Sequence, residues 1–226
     1  MLRKLLLGAA GALAIVGVAS AADLPVRGPV YMAAPAPVFY WTGFYGGVHV
    51  GYGWGDSQHT FAGASVTPDI DGFTVGGQIG YNWQYAPNWV FGIETDIAWS
   101  DISGSTVSPG PAFTSGTNIN WYGTTRLRLG YAVDNALFFL AGGVAYGQIE
   151  RDDTGPAGAA FSDSKVKAGW TLGAGVEVAY GRNWSIRAEY LYVDLGTASF
   201  SAPAPFSDNT VDAQFSVVRA ALNYRF

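Results

Sequence analysis

From Trp41 onward the chain alternates apolar and polar residues with a period of two, in blocks separated by residues that favour turns. Successive side chains of a strand point to opposite faces, so this period predicts strands. The last block, Ala213 to Phe226, sets Val218, Ala220, Leu222, Tyr224 and Phe226 on one face and Arg219, Ala221, Asn223 and Arg225 on the other. The first, Trp41 to Gly55, sets Val48, Val50, Tyr52 and Trp54 against Gly47, His49, Gly51 and Gly53. Trp41 is out of phase with Trp54, so either it precedes the strand or the glycine-rich part carries a bulge. Between them lie Phe73 to Gln84, Trp89 to Trp99, Trp121 to Tyr131, Phe138 to Tyr146, Ala168 to Tyr180 and Trp184 to Tyr192.

The connections alternate in length. Short turns are expected at Ala86-Pro87-Asn88, Asp134-Asn135 and Gly181-Arg182-Asn183, and loops over Asp56 to Asp71, Ser100 to Asn118, Glu150 to Lys165 and Asp194 to Asp212. Eight strands joined in this way predict an all-β fold, an eight-stranded antiparallel up-and-down transmembrane β-barrel with both termini on the short-turn, periplasmic side.

Alternation alone fits a soluble sandwich equally well. The aromatic residues tip the balance. Trp54, Trp99, Trp121 and Trp170 stand beside the long loops, and Trp83, Trp89 and Trp184 beside the short turns, with Trp41 at the lead-in. Phe73 and Trp83, Trp89 and Trp99, Trp121 and Tyr131, and Trp170 and Tyr180 lie ten positions apart on outward faces. At about 3.3 Å per residue and a tilt of about 40°, ten steps rise roughly 25 Å, the height of a barrel's apolar band. These residues predict two aromatic girdles, and the closing strand ends on Leu222, Tyr224 and Phe226.

The opposite faces carry Glu94, Asp96, Arg126, Arg128, Glu177, Arg187, Glu189, Arg219 and Arg225, which have no place in lipid. Counted from the lower girdle, Glu94 matches Arg126 in height and Glu177 matches Arg187, which predicts interior ion pairs. An eight-stranded barrel is just wide enough for side chains to fill it, so the lumen is expected to be plugged. Inward glycines, among them Gly47, Gly51, Gly53, Gly76, Gly80, Gly92, Gly143, Gly173 and Gly175, leave space on several strands and keep a small diffusion channel open as an alternative.

Composition bounds the setting. Residues 1–21 read as a signal peptide, with a basic start at Arg3 and Lys4, an apolar middle and a small-residue cleavage site at Ala19-Ser20-Ala21. Residues 22–40 hold Pro25, Pro29, Pro35 and Pro37 and read as a periplasmic lead-in, leaving 41–226 as the barrel domain. Losing Arg3 and Lys4 with the leader moves the formal net charge from -5 to -7. An exported acidic chain with only 13% charged residues argues against nucleic-acid binding. Cysteine is absent, which excludes disulfides and thiolate metal sites.

Seven stretches carry a family likeness: AADLP at Ala21 to Pro25, WTGFYGG at Trp41 to Gly47, FGIETDI at Phe91 to Ile97, RLRLGYA at Arg126 to Ala132, GWTLGAGVE at Gly169 to Glu177, EYLYVDLG at Glu189 to Gly196 and LNYRF at Leu222 to Phe226. On these the chain resembles the small outer-membrane immunogenic, or porin-family, barrels of α-proteobacteria, of the OmpA-like transmembrane type. The resemblance implies an abundant surface antigen that supports envelope integrity and meets host surface ligands through four outside loops. It also implies outer-membrane lipid and lipopolysaccharide as surroundings, and the barrel-assembly machinery as a partner of the closing strand. Some relatives are described as porins and some as haem binders.

Candidate chemistry is sparse, and no cofactor or metal site is expected. His49 projects inward and reads as a polar lumen residue. His59 falls in the first outside loop near Asp56 and Phe61, where a single histidine is the remote candidate for an axial haem ligand. Glu94 and Asp96 are paired carboxylates, read as counter-charges rather than as an acid and a base. Within the expected strands no Ser stands beside a His on one face, so a nucleophile lacks its base and no enzyme is expected. The outside loops hold Asp56, Asp69, Asp71, Asp152, Asp153, Asp163, Asp208 and Asp212, which read as solvated, with bridging to lipopolysaccharide through divalent cations as the alternative.

Overall fold

A computed structural model gives the fold and describes residues 39–61, 64–107, 114–155, 159–201 and 209–226. The leader, the lead-in before Phe39, and Asp208 lie outside these residues. The strands are β1 (Gly43–Phe61), β2 (Ala64–Val66), β3 (Asp69–Gln84), β4 (Trp89–Val107), β5 (Thr114–Val133), β6 (Ala136–Thr154), β7 (Ala160–Tyr180), β8 (Trp184–Phe200) and β9 (Asn209–Arg225). Eight of them form a closed antiparallel ring in the order β1-β3-β4-β5-β6-β7-β8-β9, with β9 paired back onto β1. The short β2 folds down on the far end of β1, His59 opposite Val66.

The short turns are clipped by their asparagines. Asn88 accepts the backbone N–H of Ala132 at 2.6 Å and donates its side-chain amide to that residue's carbonyl at 2.7 Å. Asn135 does the same to Ala179 and Asn183 to Arg225. Each turn is thereby tied to the next strand pair, which closes the ladder at this end of the ring. Asp134 takes φ +53°, the left-handed conformation a two-residue hairpin demands and Asp tolerates.

Trp41 lies before β1 and not over a bulge. It points inward and is buried with Val90, Ala132, Leu137 and Ala179, and Phe39 packs on this cluster. The last residues of the lead-in are thus part of the barrel floor, and Arg225 stands at that rim, its guanidinium 3.8 Å from the Phe39 ring centre.

At the other end the four expected loops are mostly strand. β4 continues to Val107, β5 begins at Thr114, β6 reaches Thr154 and β8 reaches Phe200. From Trp99 to Val107 the wall rises roughly 20 Å further at the same tilt. Over this rise the polarity of the faces inverts. Below it, large apolar side chains such as Phe73, Ile79, Leu127 and Leu172 are exposed on the outside, as lipid contact requires. Above it, Ile70, Ile102, Ile119, Ile149, Leu195, Phe200, Val211 and Phe215 are buried inside, while Ser103, Ser105, Asn120, Thr197 and Ser199 face out. The wall meets lipid in one zone and water in the next, so its apolar residues change sides.

The β4–β5 pairing shifts register here between Trp99 and Ile102, and two strands switch their inward set. β5 switches its inward set from Tyr122 to Ile119 around Asn120 and Trp121, where the pairing with β6 shifts register. β8 does so between Asp194 and Thr197, where Gly196 takes φ +67°, a conformation natural to glycine, and donates its N–H to Asp194 Oδ1 at 2.8 Å.

Candidate functional site

Eight charged residues fill the middle of the barrel. Their placement follows from the ladder, which sets Glu94 opposite Arg126, Glu177 opposite Arg187 and Glu189 opposite Arg219. Arg126 Nη2 lies 2.6 Å from Glu94 Oε1 and 3.1 Å from Asp96 Oδ2, and its Nη1 binds Glu189. Arg187 reaches Glu94 at 2.5 Å and Glu177 at 2.9 Å. Arg128 holds Glu177 at 3.0 Å, and Arg219 holds Glu189 at 2.8 Å and Asp96 at 3.3 Å. The two pairs expected from height are therefore parts of one network of four arginines and four carboxylates, formally neutral.

Neutral groups add further hydrogen bonds to it. Tyr45 donates to Glu94 at 2.6 Å and accepts from Arg128 at 2.8 Å. Ser185 and Asn223 donate to Glu177, and Thr124 to Asp96. The Arg128 guanidinium stacks 4.0 Å from the Phe139 ring centre. Sequence reading gave neither Tyr45 nor Phe139 a role, although it set Phe139 inward, because both sit among apolar residues. Their inward phase, shared with His49 and Ala141, was the available signal.

Apolar layers close the network at both ends. The Trp41 cluster lies below it, and the cluster around Ala98, Ile102, Tyr122, Leu191 and Val217 above it. Neighbouring side chains occupy the space at several of the inward glycines. A Cβ at Gly53 would stand 2.5 Å from Ile102 Cδ1, one at Gly76 2.7 Å from His49 Nε2, and one at Gly175 2.7 Å from Phe139 Cζ. His49 is buried against this glycine-lined wall, and neither ring nitrogen has a hydrogen-bond partner among the described residues.

His59 is not in a loop. β1 runs on through it, and its side chain is buried inside the extension with Nε2 2.8 Å from Thr117 Oγ1 and 3.3 Å from Ser57 Oγ. A Ser and a His do therefore share a face, two residues apart, beyond the point where the strand was expected to end. Both are inaccessible, so the pair braces the extension and offers no nucleophile to a substrate. Arg151 and Asp153 join the same layer, with Ser115 donating to Asp153 at 2.5 Å. Burial first, and then the Arg151 charge, push the His59 pKa down to about 4.

This shift has a sign. His59 stays neutral in the fold but protonates freely once unfolded, so the fold loses stability as pH drops below about 6.5 and the loss is complete below about 4. Denaturant titrations in micelles are expected to show up to about 3 kcal/mol of loss over that range from this residue. His59→Gln should flatten the profile by that amount, and parallel profiles for the two chains would assign the acid response elsewhere.

The acidic residues assigned to loops mostly lie on strands, and some have neutral partners. Asp71 accepts from Tyr52, Asp152 from Asn118 at 2.6 Å, and Glu150 from Asn120 at 2.5 Å. Among the described residues no three His, Asp or Glu side chains are grouped to hold a metal ion.

Around this filled interior, aromatic rings pair at two heights. Trp89 packs edge-on to Tyr131 and Trp184 to Tyr224 at the short-turn end, with centroids 5.2 and 5.0 Å apart. Trp170 pairs with Tyr192 at 5.3 Å and Trp54 with Tyr190 at 6.4 Å at the other. Trp83 and Trp99 are exposed outward at the two levels, and Trp121, half-buried, donates to Gln148 at 2.9 Å. The outer membrane protein beta-barrel domain is the family whose model matches, over residues 10–226. The chain belongs to this family.

It is 40% identical over 228 residues to the 31 kDa outer-membrane immunogenic protein of Brucella melitensis, covering 92% of this chain and 93% of that protein. It is 35% identical over 170 residues to the 22 kDa outer membrane protein of Rhizobium leguminosarum, covering 73% of this chain and 69% of that protein. Among solved structures, outer membrane protein OprG from Pseudomonas aeruginosa shares the fold, with a TM-score of 0.51 at 13% identity over 83% of this chain and 98% of that one. The protein is thus an outer-membrane β-barrel, akin to immunogenic surface proteins. In that membrane the short turns face the periplasm and the strand extension faces outward.

Proposed function

We propose that this family member is a non-conducting, non-catalytic barrel that contributes to envelope integrity and carries a rigid β-extension for contacts at the cell surface. The observation that carries this reading is the lumen: a formally neutral ion-pair network sealed between two apolar layers. Such a filling braces the wall and gives ions no hydrated path. The belt of outward apolar residues meets outer-membrane lipid, and the extension stands among lipopolysaccharide. Leu222, Tyr224 and Phe226 present the outward face of the closing strand to the barrel-assembly machinery. Host surface ligands would meet the strand tips and their connections, and nothing in the reading calls for nucleic acid. Burial of His59 and its bond to Thr117 speak against haem ligation there.

The test is single-channel conductance of the refolded mature chain, residues 22–226, in a planar bilayer. With folding verified by heat-dependent gel mobility, the bilayer is expected to stay silent. Stable, reproducible current steps would make the protein a diffusion channel and end the sealed-lumen reading.

A further inference from the structure

The extension does not close all the way round. The β6–β7 ladder continues to Thr154 opposite Ala160, but the β7–β8 ladder stops at Trp170 opposite Asp194. Beyond its bulge at Gly196, β8 follows β9 to Phe200 opposite Asn209. Gly169 still lies against the backbone of Asp194 and Leu195, but residues 160–168 of β7 are paired on one side only, and no strand among the described residues covers the other. A one-sided strand leaves a row of backbone N–H and C=O groups directed along the sheet, ready to pair with another strand.

The chemistry of this seam is distinctive. Lys165 and Lys167 are the only lysines beyond the leader, and both stand on the inward face of β7, half-buried beside the open edge. Lys165 reaches across to donate to the backbone carbonyl of Ser199 on β8, with its ammonium 5.2 Å from the Phe200 ring centre. No carboxylate among the described residues lies within ion-pair distance of either lysine. Asp163, next along that face, stands opposite Arg151 of β6. Elsewhere the extension carries Asp56, Asp69, Asp101 and Asp152 on or near its outer surface, so the two ammonium groups concentrate its unmatched positive charge at the seam.

We propose that the open β7 edge is a strand-acceptor site for an extended acidic polypeptide segment, which adds to the sheet between β7 and β8. The inference rests on the surface-contact reading above and deepens it. Backbone hydrogen bonds supply the attachment, as in other strand additions, and side-chain charge supplies the choice of segment. Two lysines two residues apart on one face present their charges roughly 7 Å apart, the repeat of alternate side chains on an adjoining strand. Lysine at an open edge also repels the same edge of a second copy, which disfavours self-pairing. A small anion would answer the ammonium groups and leave the row of backbone groups to water. The incoming strand replaces the Lys165 bond to Ser199, whose carbonyl it can occupy itself.

Hydrogen exchange of the refolded mature chain in micelles tests this. Without additive, alternate amides within 160–168 are expected to exchange faster than amides of β5 and β6 at the same height. A saturating ten-residue peptide of alternating Glu and Thr should slow them at least ten-fold. Lys165→Glu with Lys167→Glu should abolish the protection, with Lys165→Gln and Lys167→Gln as the substitute if the charge-reversed chain lacks folded gel mobility. The proposal is overturned by no slowing at saturation, by equal slowing with a Lys-Thr peptide, or by equal slowing with inorganic phosphate. Protection that grows with protein concentration in the absence of peptide would hand the edge to a second copy and overturn it too. Because conductance and edge protection are read separately, loss of one reading does not decide the other.

Discussion

Arg126→Ala is expected to cost about 3–5 kcal/mol of barrel stability, the range for removing one partner of a buried ion pair. The side chain is fully buried and touches Glu94, Asp96 and Glu189. Its loss leaves four carboxylates facing three arginines between two apolar layers. The fall should appear as a lower denaturant midpoint in micelles and a lower temperature for the shift in gel mobility. Pairing it with Glu94→Gln in a double-mutant cycle should give a combined cost smaller than the sum, because the two share one interaction. A cost for Arg126→Ala within about 0.5 kcal/mol of zero, the range of an unremarkable surface change, would mean that the network does not brace the wall.

Phe215→Ala should be comparably severe for a different reason. Phe215 lies in the upper apolar layer, almost fully buried, with its ring 5.3 Å from that of Tyr122 in an edge-on contact. Truncating a buried Phe typically costs about 3–5 kcal/mol, since the lost burial is joined by a cavity that the surrounding wall cannot collapse to fill. The damage should be local. Amides of the extension, on β5, β6 and β9 beyond the outer girdle, should exchange markedly faster, while those of the lipid-facing band keep their protection. Uniform loosening of both zones would mean that the extension and the membrane band fold as one unit. Gln214→Ala, one residue away on the outward face, serves as the comparison and should leave both zones unchanged.

These two residues differ in how far they could be read in advance. Arg126 sits among Leu127, Leu129 and Arg128 in a long, regular alternation, and a charge on the minority face of such a strand has few places to go. Its height relative to Glu94 follows by counting from the girdle, as that of Arg187 follows from the tight turn it shares with Glu177. The further bonds to Asp96 and Glu189 do not follow from counting. Arg126 and Glu189 belong to strands that are not neighbours, and they meet only because the ring is narrow enough for side chains to cross it.

Phe215 lies in the expected closing strand, but the isoleucines that share its layer illustrate the opposite case. Ile102, Ile119 and Ile149 each stand alone among Ser, Thr, Asn, Asp and Glu, a composition that reads as loop. Each strand end carries too little apolar surface to announce itself. They become a core because four or more strand ends are brought together, and each then covers the others. The same blindness hid the Ser57–His59 pair, which lies on a part of β1 that local composition assigns to a loop, and it placed His59 in solvent when the fold buries it.

By itself the sequence determined the eight wall strands, which of their faces meets lipid, the two aromatic levels and the neighbouring-strand charge matches. All of these follow from a period of two and from distances along a strand, which are properties of local backbone geometry. Tertiary structure alone decided that the charges merge into one network, that the wall continues beyond the membrane with its faces inverted, that Trp41 packs into the floor, and that β7 keeps one edge open. Those features depend on what lies across the lumen or on the neighbouring strand. Burial and pairing there are joint properties of residues far apart in the chain, and no single stretch carries them.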